Sequence, residues 1–188
     1  MKRVLCLIAA AVLLASTAGA QAPAGGQKIA LATSMQRAYS AIKQNLTEAA
    51  DKFGDADYSY RPSPEIRPYG GQFGHVANYH YIVCSAAKGE PNPNQGNDLE
   101  KKTTKAEFVK ALADSFAYCD AAFAALTDAN ALESVKQGQN EVTRAGLLMN
   151  ILTHDNEEYG VVTVYIRTKA MVPPSTERSM RGRGMGRQ

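Results

Sequence analysis

Four stretches of this chain repeat apolar residues every three or four positions, and that spacing constrains the fold more than any other feature. In the first, Leu31, Met35, Tyr39, Ile42, Leu46, Ala49 and Phe53 fall on one stripe of a helix, and Gly54 is placed to end it. A second helix is expected from about Tyr69 to Ala87, with Phe73, Val76, Ala77, Val83 and Cys84 on its apolar face. A third opens at Thr104, where Thr-Lys-Ala-Glu is a capping box, and continues through Phe108, Leu112, Phe116, Cys119, Phe123 and Leu126. The fourth begins near Val142 or Thr143, carries Leu147, Leu148, Ile151, Leu152, Val161, Val162, Tyr165 and Ile166, and stops before Pro173-Pro174. Its VVTVYI stretch is rich in β-branched residues, which favour strands. No turn signal separates that stretch from the helix before it, so the helix is expected to run through. Four amphipathic helices in one small domain imply an all-α four-helix bundle.

The connections differ in character. DADYSYRPSPEIRPYG cannot be helical throughout, because Pro62, Pro64 and Pro68 each push the preceding residue out of the helical region. It is expected to lie extended across the body, docked by Tyr58, Tyr60 and Ile66. KGEPNPNQGND is dense in Pro, Asn and Gly and reads as a loop. The connection from Lys88 to Thr103 is longer than the turns that join antiparallel neighbours. It is long enough to cross the bundle and leave the second and third helices parallel, although length alone does not decide this. TDANALESVKQGQNE is polar and interrupted. The tail from 178 to 188 has no apolar period and is expected to be disordered.

The first twenty residues read as a secretory signal peptide. Lys2 and Arg3 precede the apolar run LCLIAAAVLLA, and Ala18-Gly19-Ala20 is a small-residue cleavage site. The run is short for a bilayer span, Cys6 is not at the cleavage point, and no other segment is apolar enough to cross a membrane. The expectation is a secreted or periplasmic protein cleaved after Ala20, with a flexible leader over 21–27 and one domain over 28–177. The net charge of +3 comes largely from Lys2, Arg3 and the tail residues Arg178, Arg181, Arg183 and Arg187, so the body is mildly acidic. That excludes a broad basic surface for nucleic acid. No G-x-S-x-G, P-loop or dinucleotide-binding glycine pattern is present. Cleavage leaves Cys84 and Cys119, which are not in a C-x-x-C motif. In an oxidising compartment they either pair or sit as buried thiols.

Chemistry concentrates in two places. His154 and Glu158 are four residues apart, so on a helix an imidazole and a carboxylate share one face. His75 lies far upstream in GQFGHVANYHYIVC and can supply a third donor; the chain has three histidines in all. Bundle cores build metal sites from such inward side chains, and His75, His154 and Glu158 would leave open positions on a divalent ion. Tyr79, four residues after His75, is placed to line the same pocket. His80 lies about 140° around the helix from His75 and is expected behind the ligands or at the surface. Asp155 and Glu157 point away from the face shared by His154 and Glu158. Tyr79, His80 and Tyr159 are candidate general bases, with no catalytic residue assigned.

Two segments, YSYRPSPEIRPYGGQFGHVANYHYIVCSAAKGE and THDNEEYGVVTVYIRTKAMVPPSTE, resemble the DinB-like superfamily of metal-binding four-helix bundles, and the resemblance spans roughly residues 28–177. It implies an up-down-down-up bundle with parallel second and third helices. Cys84 and Cys119 would then lie near the same end of adjacent helices, where a disulfide is geometrically possible. The family takes one histidine from a G-H-[VIL]-A-like stretch, here Gly74-His75-Val76-Ala77, and two from H-x-x-x-H. The first of those matches His154. The second falls on Glu158, so this chain reads HDNEEYG where similar members read HDNEHYG. The implied cofactor is a divalent metal ion such as zinc, nickel, manganese or iron. A carboxylate acidifies a bound water less than a third imidazole and favours the harder ions. The implied activity is a metal-dependent hydrolase or transferase acting on a small molecule. The alternative is a non-catalytic exported binding or structural protein with a degenerate site. A homodimer is compatible with the sequence, which carries no exposed stripe that requires one.

Overall fold

The structure is a computed structural model and describes Gly26 and residues 28–185. The expected signal peptide, and all of the leader except Gly26, lie outside the described residues. Five helices and one hairpin follow in order: α1 Leu31–Ala50, α2 Tyr69–Lys88, α3 Lys105–Ala124, β1 Ser134–Gln137, β2 Asn140–Thr143, α4 Arg144–Thr168 and α5 Pro174–Met185.

Pairings between helices give the topology. Cys84 bonds Cys119 and His80 meets Ser115, both at a sequence separation of 35, so α2 and α3 advance together and are parallel. From Ala87–Arg144 to His80–Asp155 to Gln72–Tyr165, the separation widens from 57 to 75 to 93, so α2 and α4 run oppositely. The same widening, from Lys105–Phe53 at 52 to Gln36–Phe123 at 87, makes α1 antiparallel to α3. The bundle is therefore up-down-down-up. Its core is the meeting of the four apolar stripes: Met35, Tyr39, Ile42 and Leu46 with Phe73, Val76 and Val83, Leu112, Phe116 and Phe123, and Leu147, Leu148, Ile151, Val162 and Ile166.

Helix ends follow the local chemistry. Thr104 and Glu107 form the expected capping box at α3, and the Thr143 hydroxyl accepts from the Gly146 amide at the start of α4. Gly89, at φ 71, ends α2 in the left-handed conformation. α1 stops at Ala50, before the expected Gly54. Its last carbonyls are taken instead by the buried connection, where Tyr69 Oη donates to the Ala49 carbonyl at 2.5 Å and Tyr58 Oη donates to that of Ala50. Tyr58 and Tyr60 dock the connection as expected; Ile66 does not and stays at the surface.

Two elements were not expected. The polar stretch before α4 forms the β1–β2 hairpin, with Gln137 opposite Asn140 across a two-residue turn. Gly138, at φ 61, occupies its first central position. The tail is a correction: residues through Met185 are helical, and 186–188 lie outside the described residues. Pro174 pre-sets the first turn of α5, and polar contacts rather than an apolar stripe hold it to α1 and the residues just after α1. Lys52 pairs with Glu177 at 2.6 Å, and Arg178 bonds Glu48 and Asn45. Among the described residues, no helix is long and apolar enough to cross a membrane.

Candidate metal centre

The antiparallel α2–α4 contact brings the three sequence-predicted donors together. His75 Nε2 lies 3.2 Å from His154 Nε2 and 3.6 Å from Glu158 Oε1, and His154 Nε2 lies 3.9 Å from the same carboxylate oxygen. These atoms fall within 4.8 Å of one another. Donors about 2.0–2.1 Å from one ion in tetrahedral geometry stand roughly 3.3–3.4 Å apart, close to the observed triangle. The side chains are 26%, 15% and 11% exposed for His75, His154 and Glu158, so the triangle is sheltered but not sealed from solvent. Three protein donors leave a position for an exogenous ligand, as in catalytic rather than structural sites.

The hydrogen bonds behind the ligands fit an ion better than they fit an empty pair of rings. Glu100 Oε1 lies 2.8 Å from His75 Nδ1. That bond puts the ring proton on Nδ1 and leaves the Nε2 lone pair aimed at the triangle. Two bare Nε2 lone pairs at 3.2 Å repel, so without a cation His154 must donate from Nε2. Its buried Nδ1 then faces Asp155 Oδ1 at 3.6 Å with no hydrogen-bond partner. A cation taken by both Nε2 atoms would move the His154 proton to Nδ1, where it faces the Asp155 carboxylate instead of presenting a lone pair to it. The residues present fit a divalent ion.

Tyr79 takes its expected place, its ring stacked on that of His154 with centroids 3.9 Å apart. Burial, then the charge of Asp155, raises its hydroxyl above the usual range, so it stays protonated at neutral pH.

His80 takes the inner of its two expected places, behind the ligands, and Asp155 points off the His154–Glu158 face as expected; the pairing of the two was not foreseen. Both are completely buried. His80 Nε2 lies 3.0 Å from each oxygen of Asp155, and His80 Nδ1 lies 3.0 Å from Ser115 Oγ. Burial alone would raise the Asp155 carboxyl. Attraction to His80 and to the neighbouring His154 outweighs it and holds the group below the usual range. With both ring nitrogens engaged and no exposure, His80 is not available as a base. Tyr159 is also engaged elsewhere: its hydroxyl donates to Ser175 Oγ at 2.9 Å and accepts from the Ser175 amide at 3.0 Å. Glu100 was missed. It sits in a single 3-10 turn, Leu99–Lys101, 25 residues from His75, and nothing local in the sequence links the two.

Cys84 and Cys119 form a disulfide with Cα atoms 5.4 Å apart, across the parallel α2–α3 contact. The buried bridge is one helical turn beyond His80 and Ser115 and ties the same two helices.

Solved structures share the fold. A DinB-like protein from Bacillus cereus is 14% identical with a TM-score of 0.61, and one from Bacillus subtilis is 17% identical with a TM-score of 0.59; each comparison covers 74% of this chain and 93% of the other. A conserved protein from Enterococcus faecalis is 14% identical with a TM-score of 0.60, covering 74% of this chain and 97% of the other. No curated protein matches the chain. The sequence model of the DinB superfamily matches residues 38–162, a span that includes all three donors, and on that match the chain belongs to the DinB superfamily.

Proposed function

We propose that this protein binds one divalent metal ion through His75, His154 and Glu158 outside the cytoplasm, and that the ion serves hydrolysis of a small molecule. The observation that carries the reading is the convergence of two Nε2 atoms and one carboxylate oxygen between α2 and α4. The signal-peptide pattern of the first twenty residues and the Cys84–Cys119 bridge support export, since disulfides persist in oxidising compartments. When bound, such an ion supplies Lewis acidity, polarising a carbonyl or acidifying a water or thiol. The chain's own residues orient and shelter it. Glu100 fixes the His75 ring, Tyr79 covers one face of His154, and Glu158 brings the negative charge that favours manganese or ferrous iron over softer ions. Low-molecular-weight thiols are mainly cytoplasmic, which places hydrolysis ahead of thiol transfer.

One observation favours the alternative, a non-catalytic exported binding protein. His80 and Tyr159 are both committed to internal hydrogen bonds, so the site offers no free side-chain base beyond its ligands and their supports.

Elemental analysis of the purified protein after incubation with zinc, nickel, manganese or ferrous iron tests the reading. The expected result is one ion per chain, lost in His154→Ala. Substoichiometric metal throughout would overturn it. Metal-dependent turnover of ester, amide or phosphoester substrates supports the hydrolase; bound metal with no turnover supports the binding protein.

A further inference from the structure

We infer that the crossover between α2 and α3 is a working part of the metal centre, with Glu100 as the positioning residue that sets which nitrogen of His75 is free. This rests on the metal-binding reading above and adds a controlling element that the ligand triangle alone does not contain.

The crossover is docked on α2 at the turn that carries His75. Gly74 makes this possible. A Cβ at that position would lie 2.7 Å from the Leu99 carbonyl carbon and 2.8 Å from Glu100 Cα, so any side chain there collides with crossover backbone. One turn on, Asn78 clamps the same segment: its Oδ1 accepts from the Leu99 amide at 3.0 Å and its Nδ2 donates to Asp98 Oδ1 at 3.0 Å. Asp98 Oδ1 in turn accepts from the Glu100 amide at 3.1 Å. Gly74 and Asn78 therefore flank His75 and fix the backbone from which Glu100 reaches it. The two oxygens of Glu100 are divided: Oε1 meets His75 Nδ1 at 2.8 Å and Oε2 accepts from Arg67 Nε at 2.8 Å. Arg67 comes from the connection before α2, so two separate crossings of the bundle end converge on one imidazole. A carboxylate behind a ligating ring raises its basicity and fixes its orientation, and loss of such a partner costs ~10–100-fold in metal affinity.

The test combines chelator competition for manganese and zinc affinity with ¹⁵N NMR of the histidine rings in metal-free protein. Glu100→Ala should weaken binding by ~10–100-fold and turn the His75 Nδ1–H tautomer into a mixture. Glu100→Gln keeps an acceptor oxygen without the charge and should fall between wild type and Glu100→Ala. Gly74→Ala should mimic Glu100→Ala by displacing the crossover. Gln95→Ala, exposed in the same crossover and outside the clamp, should change neither readout. A wild-type protein that binds no metal overturns the metal-centre reading itself. Wild-type binding with unchanged Glu100→Ala affinity, or a His75 proton found on Nε2, overturns the role of Glu100 alone.

Discussion

Two histidine–carboxylate pairs bridge α2 and α4 little more than one turn apart, and they have opposite characters. The inner pair, His80 with Asp155, is dry and closed: both oxygens of Asp155 meet one ring nitrogen, Ser115 takes the other, and no atom faces solvent. The outer pair, His75 with Glu158 and joined by His154, is partly exposed and unsaturated, with two Nε2 atoms closer than neutral rings tolerate without a shared proton or a cation. The same residue types thus do structural work in one place and offer open coordination in the other. What separates them is whether each donor already has a partner, and that is settled by α3 and the crossover rather than by the pairs themselves.

The contrast can be broken most strongly at the inner pair. His80→Ala leaves the buried Asp155 carboxylate without the ring that both its oxygens meet, so it should cost ~3–5 kcal/mol in urea unfolding. His75→Ala, at the open site, should cost less than ~1 kcal/mol while removing metal binding. Similar losses for the two variants would erase the distinction. A sharper probe is Glu158→His, which gives three neutral imidazoles. Competition binding should show preference moving from manganese toward zinc and nickel, with unfolding free energy within ~1 kcal/mol of wild type. The smallest effect belongs to an exposed acid outside both pairs. Hydrogen bonds from the Thr104 hydroxyl and the Thr103 and Thr104 amides push Glu107 down to about 2 from 4.5. Its contribution to stability is therefore full above the unfolded value and is lost as pH falls through about 2. In acid titrations, Glu107→Gln should remove that part of the pH dependence below 4.5 and leave metal binding at neutral pH unchanged.

The sequence made the helices legible because each has a stripe that must be buried. α2 and α3 lie within a residue or two of expectation, α4 starts within the same margin and ends at Thr168, ahead of Pro173 as expected, and α1 departs only at its end, where tyrosines from a later segment take its carbonyls. The convergence of the three donors was legible because His154 and Glu158 repeat at one turn and His75 stands in a family-like stretch. The remaining features depend on contacts without local periodicity. The hairpin has only Val135 and Val142 facing each other, and its one clear signal was Gly138. α5 is held by ion pairs and by the Tyr159–Ser175 hydrogen bonds, so it carried no apolar period to detect, although Pro174 and Glu177 were usable signs of a helix start. The angular offset of His80 from His75 was foreseen, but not that Ser115 of α3 and Asp155 of α4 would meet it there.

Parallel neighbours pose a problem that antiparallel ones do not: the linker between them must travel the whole length of the bundle before the next helix begins. Here a sulfur–sulfur tie holds the two rods in register partway along, so the traverse need not do so. The few residues between Glu90, which bonds Tyr118, and Asn94, which bonds Asn78, are then free to change length and composition while the far end stays anchored beside His75. Variation in that stretch is a route by which a bundle of this kind can acquire a new ligand-facing surface without remaking its core.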